Sequence, residues 1–558
     1  MNKTHRIDLS ADRLISIASD CVDEHRHIDA LKMLNKNAVL NGNDEDSYML
    51  YAETFDDMGL YEKCVNGWFK YIDYAGENAD LAEAYEGIAV SFMNMGMDSF
   101  SAYYYNKLLM ETESELTDEN RREIISSFFK NEQPALRFAY PPKLVDYTKE
   151  FENGMEYMRG NDFDSAIKEF EKVDEGSEKY LSARNFIAMC NVICDRNEQA
   201  EQECLDVLKR DAGNVQALTT LAAVKSQQRK SEEAKQIAYR LIEINPYDGE
   251  EQYKIATVCC ENGLHEQAYS IFCKLDERFY YDCNLLFFKA IAAYNCGKIE
   301  QSLQVFDTLL TIYPNAVTAE YWHYVVLQES KKEPENRRVL EYFYRLPKGE
   351  SETNVEFLHA FNRLSDSAAQ RVCAEADVSG AVHWCFDEGD GNSASYELKL
   401  LGAKSAVKAG LEDTVRDVLL DAFLQDGIKL DTLNYLVQRN VAESYGLVVC
   451  NLYRRVNLTP ISVGRNKRAT FLKAYGLAFS RFAILEKEYP YMLCVSAEKL
   501  YEKLKQEERL NICRSVPALA AAILKFSEVN ESGLTDEQIC SFFGTKMDKV
   551  NEILGTNV

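Results

Sequence analysis

Sixteen cysteines and seven histidines are the residues of this 558-residue chain best suited to catalysis or metal binding, and their spacing favours neither. Cys190 and Cys194 form a Cys-x-x-x-Cys pair and Cys259 and Cys260 are adjacent. No Cys-x-x-Cys occurs, and no histidine stands at finger-like distance from either pair, so a zinc site is not expected. His25 and His27 lie close together on what reads as a surface turn, and the other histidines are scattered. The acidic turn "DEGDGN" (387–392) lacks the terminal glutamate of a calcium loop. None of GxGxxG, GxxxxGK[ST], HExxH or GxSxG is present. The expectation is a non-catalytic chain without cofactor or metal, whose cysteines serve as small apolar residues.

Bulk properties narrow the partner. A 46% apolar content allows large cores, and 63 basic against 90 acidic residues give a net charge of −27. That charge repels nucleic acid and anionic lipid from the chain as a whole. The start, "MNKTHRIDLSADR", has no apolar signal core, and runs such as "VPALAAAIL" are too short to span a bilayer. A cytoplasmic protein with reduced thiols and no membrane partner is expected.

The elements that position everything else come from a repeat. "EEAKQIAYRLIEINP" (232–246) returns 68 residues later as "EQSLQVFDTLLTIYP" (300–314), two 34-residue steps apart. Small residues recur at Gly154, Ala188, Ala222, Ala256 and Ala290, and again at Ala166, Ala200, Ala234, Ala268 and Ser302. Phe170, Cys204, Ala238, Phe272 and Phe306 follow in phase, then Val173, Val207, Leu241, Leu275 and Leu309. Each unit holds two amphipathic runs with apolar residues at i, i+3, i+4 and i+7. Small residues at the crossing let the two helices pack closely, and proline ends the second. One hairpin cannot bury its own apolar face, so successive hairpins must stack.

Over 147–315 this pattern resembles the tetratricopeptide repeat. Ala18 and Ala52 extend the phase towards the N-terminus, "IAVSFMNMGMDSFSAYYYNKLL" (88–109) reads as a further unit, and the proline-bearing stretch 112–146 reads as a bend. The resemblance implies that the first helix of each hairpin lines a concave groove. On that basis Asn185, Met189, Tyr253, Phe287, Ile291 and Tyr294 face a bound protein or peptide. The family's clamp for a terminal carboxylate is absent. Its positions here read Phe151, Asn185, Thr219, Tyr253 and Phe287, then Met155, Met189, Ala223, Thr257 and Ile291. A chaperone-tail adaptor is therefore not expected.

Charge and text change near the C-terminus. Residues 444–485 carry Arg454, Arg455, Arg465, Lys467, Arg468, Lys473 and Arg481 and no acidic residue. They form either a docking face for the acidic solenoid or a patch for an external polyanion, with Arg454, Arg455, Arg465, Lys467 and Arg468 as its centre. The stretch 496–554 is similar to the second half of a cyclin-box repeat as in transcription factor IIB. Its last helical pair, with Thr535 capping and Gly544 turning, has a helix-turn-helix cadence.

The sequence thus predicts an all-α chain. Its parts are degenerate repeats over 1–138, the solenoid over 139–347, a helical extension over 348–440 and a smaller helical domain over 441–558. Its expected function is a protein- or peptide-binding scaffold or adaptor. The alternative is a regulator whose groove senses a peptide while the C-terminal domain contacts nucleic acid or the transcription machinery.

Overall fold

The computed structural model describes residues 9–75, 79–111, 136–139, 143–146, 148–278, 281–387, 395–485, 488–527 and 535–555. Residues 112–135, within the expected bend, and 388–394, which hold most of the acidic turn, lie outside them.

Three hairpins open the chain: α1 (Ala11–Asp23) with α2 (His27–Asn41), α3 (Glu45–Asp57) with α4 (Tyr61–Tyr74), and α5 (Ala82–Asn94) with α6 (Asp98–Glu111). A short antiparallel ribbon follows, β1 (Leu136–Ala139) against β2 (Lys143–Asp146). The central array pairs α7 (Thr148–Arg159) with α8 (Phe163–Phe170), α9 (Tyr180–Ile193) with α10 (Asn197–Arg210), and α11 (Val215–Gln227) with α12 (Ser231–Ile244). It continues with α13 (Gly249–Glu261) and α14 (His265–Asp276), then α15 (Cys283–Asn295) and α16 (Ile299–Ile312), and ends on α17 (Val317–Ser330).

The small-residue phase marks the helix crossings. Ala188, Ala256, Ala290, Ala200, Ala234 and Ala268 are all 0% exposed, so helices meet there with no room for a larger side chain. At Gly154 a Cβ would stand 2.6 Å from the Phe170 ring, so glycine is needed for that crossing. The aromatic and aliphatic positions Phe170, Phe272, Phe306, Val207, Leu241 and Leu309 fill the space between hairpins. Most inter-helix turns pass one residue through left-handed backbone: His25, Gly59, Gly96, Asn161, Asp195, Arg229, Gly263 and Gly297. Buried thiols belong to this packing, and burial pushes the Cys204 thiol up to about 12.

The last unit begins with α18 (Lys348–Arg363), α19 (Asp366–Glu375), α20 (Val378–Trp384), α21 (Tyr396–Ala409), α22 (Glu412–Leu420) and α23 (Asp426–Gln438). It ends with α24 (Arg468–Phe482), α25 (Tyr489–Gln506), α26 (Val516–Phe526), α27 (Asp536–Phe543) and α28 (Met547–Leu554). Two features depart from expectation. Between α23 and α24 lies a β-hairpin, β3 (Ser444–Val449) against β4 (Leu452–Asn457), inside the stretch expected to be helical. Its two-residue turn, Cys450-Asn451, has positive φ at both residues, the geometry that matches strand twist. Further, 348–440 and 441–558 share one core, in which Leu433, Leu436, Phe471, Phe479, Leu500 and Ile523 are buried together. The division at 440 is therefore a change of charge within a single packed unit. The C-terminal pair matches expectation: Thr535 and Gln538 form a capping box on α27, and Gly544 turns at φ +66° into α28.

The N-terminal hairpins pack back on the rest of the chain. Asn35 Nδ2 donates to the Thr311 carbonyl at 2.8 Å, tying α2 to the end of α16. Asp73, its side chain fully buried, pairs with Arg416 at 2.7 Å and accepts the Tyr453 hydroxyl at 3.1 Å. The Tyr104 hydroxyl donates to the Asn451 carbonyl at 2.7 Å, anchoring α6 on the β3–β4 turn.

Candidate functional site

Corresponding positions on the first helices α7, α9, α11, α13 and α15 should form one continuous concave stripe. In α7, α11 and α13 those side chains, Phe151, Met155, Thr219, Ala223, Tyr253 and Thr257, are half-buried or keep some surface. On α9 Met189 is half-buried and its sulfur accepts from Gln216 Nε2 at 3.4 Å. Asn185 is 7% exposed and donates to Asn214 Oδ1 at 3.0 Å. Its own Oδ1 is buried and has no hydrogen-bond partner, a costly state for an amide oxygen. Tyr253 packs edge-on against Phe272 and Phe288, with ring centroids 6.1 and 6.0 Å away.

The stripe then closes. Phe287 and Ile291 are 0% exposed and Tyr294 is 4% exposed, because residues 338–346 lie across them as an extended strap. The strap alternates: Leu340, Tyr344 and Leu346 are buried and Tyr342 half-buried, while Glu341, Phe343 and Arg345 face solvent. This is the period-two pattern of an extended chain with one face covered. Asn295 grips the Leu340 backbone at both ends, donating to its carbonyl at 3.0 Å and accepting its N–H at 2.9 Å. The Tyr294 hydroxyl donates to the Arg338 carbonyl at 3.1 Å, and Trp322 Nε1 to the Arg345 carbonyl at 2.8 Å. The Tyr344 ring packs edge-on against Phe287 at 4.9 Å, and its hydroxyl donates at 2.9 Å to buried Asp387. Asp387 also accepts the Thr318 N–H at 2.7 Å. Burial pushes the Tyr344 hydroxyl far above its ordinary range, so it remains a donor. Tyr342 stacks on His265 and shares a 2.8 Å hydrogen bond with its Nδ1.

Phe287, Ile291 and Tyr294, expected to face an open groove, are thus covered by the chain itself, whereas Met189 and Tyr253 retain surface. The repeat spacing alone does not point to Asn295, Tyr342, Tyr344 or Asp387. The alternation in "VLEYFYRLP", set between Pro334 and Pro347, is the signal that could have found the strap, but its apolar residues fit helical spacing as well.

The cationic residues occupy the other end of the chain. Arg454, Arg455, Arg465, Arg468 and Lys473 are exposed and Lys467 is half-buried. Arg481 instead pairs with Asp431. Among the described residues no carboxylate lies within ion-pair distance of Arg454, Arg455, Arg465, Lys467 or Arg468. The ties between units use Asp73–Arg416 and Lys70–Asp417 at 2.7 Å. Lys70 and Asp417 border a cleft of about 630 Å³ between α3–α4, the end of α16 and α22, which Tyr48, Tyr51, Phe55 and Tyr74 also line. No described helix is long and apolar enough to cross a membrane.

No family model matches the chain. It is 26% identical over 148 residues to the Hsp70-Hsp90 organising protein of Plasmodium falciparum, a stretch covering 26% of this chain. The chain spans about a quarter, 25%, of that relative's length. Among solved structures, yeast Tom70 overlays at TM-score 0.30 with 13% identity, covering 92% of this chain and 99% of Tom70. A thermophilic TPR protein of Thermus thermophilus overlays at 0.27 with 12% identity over 33% of this chain and 99% of its own. The TPR2AB domain of yeast Sti1, in a complex with pHSP90, overlays at 0.21 with 16% identity over 48% of this chain and 97% of its own. Overlays at these TM-scores do not define the repeat; the 34-residue phase and the close-packed helix pairs do. The chain is an all-α array of stacked helical hairpins in a 34-residue phase.

Proposed function

We propose that this chain is a non-catalytic protein-binding scaffold, working in the cytoplasm, whose groove takes an extended segment along α7 to α13. The observation that carries the reading is the strap. The groove already holds nine residues of extended main chain, 338–346, through an asparagine on the backbone and alternate side chains between the helices. The uncovered part is made by the same positions of the same repeat. Met189 and Tyr253 supply apolar surface there. Phe287, Ile291 and Tyr294 act on a partner only through the strap that covers them. Without lysines at the groove positions, a terminal carboxylate has no cation to meet. We therefore favour an internal extended segment over the binding of a chain terminus.

The test is selection of binders from a random-peptide display library on the intact protein. Selected peptides should bind the parent and lose at least tenfold in affinity on Met189→Glu, with circular dichroism unchanged. Peptides indifferent to Met189→Glu, or no selected binder at all, would overturn the reading.

A second reading rests on Arg454, Arg455, Arg465, Lys467 and Arg468, cations without a carboxylate partner among the described residues, which suit a polyanion. In that case Arg465→Glu with Arg468→Glu abolishes a salt-sensitive binding to duplex DNA while the melting temperature stays unchanged. Absence of DNA binding by the parent at low salt would remove it.

A further inference from the structure

The first turn of the molecule gathers donors of a kind that the peptide groove does not use. We propose that His25, His27 and Asp57 form a binding site for one divalent transition-metal ion of the zinc class, at the junction of the first two hairpins. His25 lies in the α1–α2 turn, His27 opens α2, and Asp57 closes α3. One ligand atom from each lies within 4.8 Å of the other two. His27 Nε2 stands 3.5 Å from Asp57 Oδ2. Ligands about a zinc ion, each at about 2.0–2.2 Å from it, lie roughly 3.5 Å apart, so this pair already has the required separation. His25 is exposed, its ring centroid 6.0 Å from that of His27, and needs only a side-chain swing to join them.

Further observations point to a cation here. His27 Nε2 is buried and makes no hydrogen bond, its nearest charged neighbour being the Asp57 carboxylate. Other hairpin junctions are tied by a full positive charge, Arg196 on Asp164 and Lys298 on Glu266, the latter at 3.0 Å. At the first junction the neighbouring cation, Arg26, is engaged by Glu24 at 2.7 Å and Asp29 at 3.1 Å instead. Two imidazoles and one carboxylate suit zinc, with the remaining positions left to water. Sequence spacing misses the site because the carboxylate comes from the next hairpin, 30 residues after His27.

The experiment uses the intact, metal-stripped protein. Calorimetric titration with zinc should give one site, and cobalt substitution should give visible ligand-field bands without thiolate-to-cobalt charge transfer, since sixteen cysteines offer a rival. His25→Ala removes an exposed side chain and should leave the metal-free melting curve unchanged while raising Kd at least tenfold. Asp57→Asn should do the same. Zinc should raise the melting temperature of the parent and not that of His25→Ala. No binding at micromolar zinc, thiolate bands in the cobalt spectrum, or full affinity in both variants would each overturn the site.

Discussion

Asn185 and Met189 on α9, and Phe287 and Ile291 on α15, are the same two places in different copies of one repeat, yet they meet different surroundings. On α9 Met189 keeps surface beside the Gln216 amide of α11, and Asn185 is buried against Asn214 just ahead of that helix. On α15 they are Leu340 and Tyr344 of the strap, and no surface remains. The difference does not come from the repeat. It comes from a segment beyond α17, which alternates with period two and lies back across the last hairpins. A helical-hairpin array therefore has a groove only where no other part of the chain has filled it. Its free length is read from the segments outside the repeats.

The comparison can be broken most severely at Tyr344. Tyr344→Ala removes a ring seated on Phe287 and leaves Asp387 with one partner fewer, and should cost about 3–5 kcal/mol in chemical denaturation. A loss below about 1 kcal/mol would mean that the strap rests on the groove without filling it. Next comes the repeat packing that both halves share. Ala222→Leu or Ala234→Leu, at positions with at most 1% exposure, should cost about 1–3 kcal/mol through overpacking. The neighbouring hairpins should loosen with either variant, because an array passes stability between nearest neighbours. An unchanged melting curve would refute the phase.

That phase, and with it most of the helical architecture, was legible because it rests on close contact. Only Gly, Ala or Ser fits where two helices cross this closely, and a 34-residue recurrence of such residues is rare unless helical hairpins stack. The strap was not legible, because Val339, Leu340, Phe343 and Tyr344 fall at helical spacing while Leu340, Tyr342, Tyr344 and Leu346 alternate as in an extended chain, so one stretch carries both patterns. The β3–β4 hairpin was hidden for a related reason. Its turn uses Cys450-Asn451 where Asn-Gly would have announced it, and its apolar run is as long as a helical turn or two. Of the groove residues, type and position could be read, but accessibility could not, since it depends on a segment some fifty residues away in the chain.

A smaller effect sharpens the comparison further. Asn295→Ala strips the Leu340 N–H and carbonyl of their partners and should cost about 1–3 kcal/mol, with amide exchange rising across 338–346 and not along α9. Exchange that rises equally in both places would show general loosening instead. The smallest effect is a pH dependence. Burial lowers the pKa of His265, which shares a hydrogen bond with the strap's Tyr342, below the ordinary histidine value. The unfolded chain therefore binds a proton that the folded one refuses. The stability this residue contributes is complete above the unfolded value, near ~6.5, and is lost as pH falls from there towards the folded one. His265→Gln should show a shallower fall in melting temperature between about pH 7.5 and 5.5 than the parent. An identical fall would separate His265 from strap stability.

The central claim, that one groove is closed by its own chain at one end and open at the other, is tested most directly by hydroxyl-radical footprinting of the intact protein read by mass spectrometry. Met189 and Tyr253 should be oxidised readily, and Phe287 and Tyr294 should stay protected until the protein unfolds. Oxidation of Phe287 and Tyr294 at the rate of Tyr253 in the folded protein would contradict it.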